Sequence, residues 1–148
     1  MVSKLKAIIP YLSYSGNTKE VAELIEEQLL EHRIEVDMHR IGISPPFHPE
    51  EYDVVFLGTF TWDYGRVPEE TKELIWEIGY KPDNIAVFGT GDTQFGGDDL
   101  YCAAVDKLTK FYQSKWPGLK IEQSPRGSQE EKVKAWVEGV VQHDKVFA

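Results

Sequence analysis

Short apolar runs alternate with amphipathic stripes along the whole chain, and few folds accommodate that order. Leu5 to Leu12, Tyr52 to Gly58 and Ile85 to Gly89 carry continuous apolar stretches of strand length, suited to burial on both faces of a sheet. Ile34 to Met38 alternates apolar and polar residues, as a half-exposed edge strand does, and Gly118 to Glu122 gives a short fifth strand. Between these runs apolar residues recur at helical spacing. Val21, Leu24, Ile25 and Leu29 mark a helix from Thr18 to about His32, and Leu74, Ile75 and Ile78 mark one that opens after Pro68. Leu100 or Tyr101, Ala104, Val105, Leu108 and Phe111 mark a third, with Asp98 or Asp99 as its cap. Val133, Trp136, Val137, Val140 and Val141 mark a last helix, introduced by Ser128 and Glu131 at capping-box spacing. Strict alternation predicts an α/β fold: a parallel sheet with right-handed crossovers and helices on both faces. The 148 residues suffice for one domain, 1–148, with no internal repeat or linker.

Composition narrows the partners. A net charge of −9 argues against nucleic acid and anionic membranes and fits encounter with a basic protein surface. No apolar run approaches a membrane span and the N-terminus has no signal-peptide pattern. The single cysteine, Cys102, permits no intrachain disulfide, which fits the cytoplasm. His32, His39, His48 and His143 lack ligand spacing and read as surface residues. Trp76, Trp116 and Trp136 read as core or partly buried packing. Ser13 and Ser15 have no His–acid pair at a spacing that would make either a nucleophile.

The chemistry lies in three loops that follow strands one, three and four, the edge at which ligands bind in such sheets. The first is Ser13-Tyr14-Ser15-Gly16-Asn17-Thr18, a polar turn between a strand and a helix start. Unpaired N–H groups at a helix N-terminus, with the side chains of Ser13, Ser15, Asn17 and Thr18, make an anion cradle without lysine or arginine. The competing account is a plain helix cap. The second loop, Thr59 to Val67, sets Trp62 and Tyr64 in a surface turn, where aromatics often stack on a ligand. The third, Thr90 to Gly97, carries Phe95 among glycines expected to serve tight turns. Together they suit a flat aromatic ligand with a phosphate tail.

On these residues the sequence resembles the flavodoxins, small FMN-binding electron carriers. The match is carried by 13–18, by Gly58-Thr59-Phe60-Thr61-Trp62, and by Gly89-Thr90-Gly91-Asp92 with Phe95 and Cys102-Ala103-Ala104-Val105-Asp106. A fifth strand without a long insertion fits the short-chain type. The resemblance implies a three-layer sandwich with a five-stranded parallel sheet of order 2-1-3-4-5. It implies that Ser13, Ser15, Asn17 and Thr18 donate to the FMN phosphate, helped by the N–H groups of Tyr14 and Gly16. Trp62 would cover one flavin face and Phe95 the other, with Tyr101 as the alternative outer ring. Backbone groups of Thr59, Thr61, Asp63 and Asp92 would reach the polar edge of the ring, within loops that include Phe60, Tyr64, Gly65, Thr90 and Gly91. Asp63 stands where the family commonly has glycine, which implies a cost of about 1 kcal/mol for a peptide flip through positive φ. Asp63, Asp92, Asp98 and Asp99, with no expected cation beside the flavin, would disfavour its anionic reduced form and lower its potential. The implied partners are a flavodoxin reductase or similar electron donor and a redox acceptor protein, met by a monomer through its acidic surface. Tyr64-Gly65-Arg66-Val67-Pro68 and Phe95-Gly96 are also similar to the flavodoxin-like activators of manganese ribonucleotide reductase. That relation implies the alternative role of making an oxidant from reduced FMN and oxygen.

Overall fold

The computed structural model describes residues 5–14, 16–61, 66–91, 102–122 and 125–143. The strands are β1 (Lys6–Tyr11), β2 (Glu35–Arg40), β3 (Val54–Phe60), β4 (Ile85–Gly91) and β5 (Leu119–Glu122). They form one parallel sheet in the order β2-β1-β3-β4-β5. The helices among the described residues are α1 (Asn17–Glu31), α2 (Glu69–Ile78), α3 (Ala103–Tyr112) and α4 (Ser128–His143), with a 3-10 turn at Pro49–Glu51.

The pleat explains the three layers. Successive strand residues point to opposite faces, so Ile9, Phe56 and Phe88 pack with Val21, Ile25 and Leu29 of α1 and with Val133 and Val137 of α4. Their neighbours Ile8, Val55, Leu57 and Val87 pack with Leu74 of α2 and with Val105 and Leu108 of α3. Gly58 serves this packing directly: a Cβ there would sit 2.1 Å from the Phe88 ring, which crosses the strand at that point.

Four sequence expectations change. β3 and β4 run on through Phe60 and Gly91 in register, Thr59 against Gly89 and Phe60 against Thr90, so the second and third loops begin two residues later than expected. Trp76 is 83% exposed; it lies about 200° around α2 from Leu74, off the buried stripe. On α3 Tyr112 is buried and Phe111 exposed, because i+4 rather than i+3 from Leu108 falls under the sheet. His39 is 5% exposed, covered edge-on by Phe47 at 4.9 Å from the loop after β2.

Candidate functional site

The first loop is built by the end of one ladder and the start of one helix. Leu12 N–H donates to the Gly58 carbonyl at 3.0 Å, and the chain then leaves the sheet. Gly16 has φ +96° and is the N-cap of α1, with no side-chain oxygen capping the helix. Its carbonyl accepts the Glu20 N–H at 3.0 Å, and its own N–H donates to Ser13 Oγ at 3.1 Å. Among the described residues the N–H groups of Asn17, Thr18 and Lys19 have no hydrogen-bond partner. A Cβ on Gly16 would meet nothing within 4 Å among the described residues, so the glycine is needed there for its backbone conformation and not for room. The three N–H groups are the donor set that an anion meets at a helix N-terminus. The residues fit a phosphate, because Ser13 Oγ accepts from Gly16 and keeps its hydrogen to donate.

Threonines lock the stems of the three loops together. Thr18 Oγ1 and Thr90 Oγ1 lie 2.8 Å apart in the interior, which joins the start of α1 to the end of β4. Thr59 Oγ1 and Thr71 Oγ1 are 3.0 Å apart and buried, joining β3 to α2. Thr61 N–H donates to the Thr90 carbonyl at 3.3 Å, and Thr61 Oγ1 accepts the Ala104 N–H at 3.1 Å. Thr61 therefore caps α3 from another loop. The N-cap of α3 is Cys102, with φ 50° and no capping side chain of its own; Asp98 and Asp99, the caps expected from the sequence, lie outside the described residues.

The glycines at the end of β4 serve close approach rather than turning. Neither Gly89 nor Gly91 is among the positive-φ residues. A Cβ on Gly91 would come within 2.9 Å of the Cys102 backbone nitrogen, and one on Gly89 within 2.5 Å of Val105 and 2.7 Å of the Thr59 carbonyl oxygen. α3 thus presses on the sheet beside the loops, with the Cys102 thiol buried 3.8 Å from the carbonyls of Gly89 and Ile121.

Tyr14, expected only as a backbone donor, has a second role. Its hydroxyl donates to a Glu70 carboxylate oxygen on α2, which raises the phenol's pKa because ionisation would lose that bond. Its ring rests on Phe60 at 4.9 Å. The first loop is therefore tied to α2, a link with no local signal in the sequence. Of the expected site residues, Ser13, Tyr14, Gly16, Asn17, Thr18, Thr59, Phe60, Thr61, Thr90 and Gly91 come together at one sheet edge. Ser15, Trp62, Asp63, Tyr64, Gly65, Asp92, Phe95 and Tyr101 lie outside the described residues.

The flavodoxin family model matches residues 9–136. Probable flavodoxin 2 of Bacillus subtilis (strain 168) is 36% identical over 137 residues, covering 86% of this chain and 89% of that protein. The structure of oxidised Flavodoxin 1 from Bacillus cereus superposes with a TM-score of 0.82 at 29% identity, covering 93% of this chain and 98% of that one. A more distant structure, Fusobacterium nucleatum flavodoxin bound to flavin mononucleotide, has a TM-score of 0.68 at 13% identity over 93% of this chain and 98% of that one. The sheet order, the loop at the start of α1 and these matches agree, and the chain belongs to the flavodoxin family, whose members carry electrons on FMN rather than act as enzymes.

Proposed function

We propose that the chain holds FMN non-covalently by the loop at 13–18 and passes electrons between two redox partner proteins. The observation that carries this reading is the left-handed Gly16 followed by first-turn N–H groups of α1 that have no partner among the described residues. Bound FMN supplies the one-electron chemistry. The protein's part is to hold the phosphate on neutral donors, to exclude water from the ring and to keep cations away from it. Ser13, Ser15 and Asn17 side chains and the N–H groups of 17–19 take the phosphate, with the Gly16 N–H holding Ser13 in place. Thr18, whose hydroxyl lies 2.8 Å from that of Thr90, contributes chiefly by fixing the loop. Trp62 and either Phe95 or Tyr101 cover the flavin faces, and backbone groups of Thr59, Thr61, Asp63 and Asp92 meet its polar edge.

The partners in this reading are a flavodoxin-reductase-like donor and an acceptor protein, each offering a basic face to a monomeric carrier of net charge −9 in the cytoplasm. The phosphate role is tested by replacing Ser13 and Asn17 with alanine and titrating the apoprotein with FMN and with riboflavin. Two charge-assisted hydrogen bonds at about 1.5 kcal/mol or more each predict a loss of FMN affinity of about a hundredfold with riboflavin affinity little changed. Equal losses for both ligands would mean that the loop only caps the helix.

A further inference from the structure

Beside the first loop, α2 and the segment after β2 enclose a cavity of about 210 Å³ lined by His39, Ile41, Gly42, Ser44, Pro46, Glu70, Glu73, Leu74 and Glu77. Glu70, Glu73 and Glu77 share one face of α2, three and four residues apart. Among the described residues no lysine or arginine pairs with any of the three. Glu70 accepts a hydrogen bond from Tyr14 and lies against Gly42. Glu73 and Glu77 are exposed and Glu70 half-buried, so the three present carboxylate acceptors to a cationic group entering the cavity.

An independent observation comes from the floor of the cavity. The His39 imidazole is 5% exposed, lines the cavity, and has no hydrogen-bond or ion-pair partner among the described residues, only the ring contact with Phe47. Its nitrogens are not among the fully enclosed unsatisfied polar atoms of the described residues, so the ring keeps access to a hydrogen-bond partner through the cavity it lines. Burial lowers its pKa below the ordinary 6.5 while Glu77 opposes that shift. Near neutral pH the ring is uncharged and one nitrogen accepts a hydrogen bond.

We propose that this cavity is a binding site for a guanidinium group. Planar N–H donors on several edges match carboxylates on one wall and a neutral imidazole acceptor on the floor. A shared metal ion fits less well: no group of three His, Cys, Asp or Glu side chains among the described residues stands close enough to hold one. The site does not depend on FMN, so its test is separate from that of the cofactor.

The flavin-loaded protein is titrated with ethylguanidine, with a neutral-capped peptide carrying one arginine, and with butylamine. His39 ring resonances are followed by NMR, with sodium chloride as the ionic control. The expected result is a saturable His39 shift with both guanidinium probes, weaker binding of butylamine, and affinity lowered about tenfold in Glu77→Gln and in Glu73→Gln. Tighter binding of the peptide assigns the site to an arginine of a protein partner; tighter binding of ethylguanidine assigns it to a free small cation. Three outcomes overturn the proposal: no saturation, shifts that sodium chloride reproduces, or affinities unchanged in both variants. Butylamine binding as tightly as ethylguanidine would overturn the guanidinium assignment.

Discussion

Gly16 and Gly89 are both glycines beside the phosphate loop, and the structure requires each for a different reason. At Gly16 the backbone is left-handed and a Cβ meets no described residue within 4 Å, so alanine there costs only the conformation, about 1 kcal/mol. At Gly89 the conformation is ordinary, but a Cβ meets the Thr59 carbonyl oxygen and Val105, and overpacking against backbone costs about 1–3 kcal/mol. Urea unfolding should therefore rank Gly89→Ala as more destabilised than Gly16→Ala, and the reverse order would contradict this reading. Tyr112 gives a second test at this scale. Its hydroxyl is buried without a hydrogen-bond partner among the described residues, and burial pushes its pKa up to about 12. Tyr112→Phe should be neutral or stabilising by up to about 1 kcal/mol and should remove one of the two late-titrating phenols, the other being Tyr52, from the alkaline absorbance curve. A destabilisation above that size would show that the hydroxyl has a partner.

The elements were largely legible because their patterns are local. Continuous apolar runs located β1, β3 and β4, and the stripe on α1 placed its buried face within one residue of each end. Where the reading failed, the deciding contact came from elsewhere in the chain. The polar threonines at the ends of β3 and β4 read as loop, yet pairing across the sheet carries both strands past them. Thr61, 43 residues away, accepts the Ala104 N–H at the start of α3, a bond that no motif beside the helix announces. Trp76 is a different case. Its position off the stripe was available from the helical period, and size was allowed to outweigh geometry. Of the site, the anion cradle was legible as donors around a glycine. The threonine pairs that fix it, and the Tyr14–Glu70 link, were not, because each joins residues more than ten apart.

At the scale of the molecule, the sheet edge gathers a cradle without cations, in a chain of net charge −9, and a buried histidine a few residues from the same edge. His39 is uncharged in the folded protein near neutral pH, with Glu70, Glu73 and Glu77 of α2 facing its cavity. Its folded pKa lies below its unfolded one, so the unfolded chain takes up the proton first as pH falls. The resulting contribution to stability is complete above about pH 6.5 and is lost as pH drops through the range beneath it. Wild type should lose more stability than His39→Gln between about pH 7.5 and pH 5.5 in urea unfolding; identical losses would contradict the assignment.

In the proposed reading, this fold binds FMN and makes it a low-potential electron donor by withholding positive charge from the ring. A reductive titration of the purified, FMN-loaded protein, followed by visible absorption against potential, tests it most directly. The account predicts two separate one-electron steps, with the second well below that of free FMN. A single two-electron step at the potential of free FMN, or a protein that retains no flavin band at all, would contradict it.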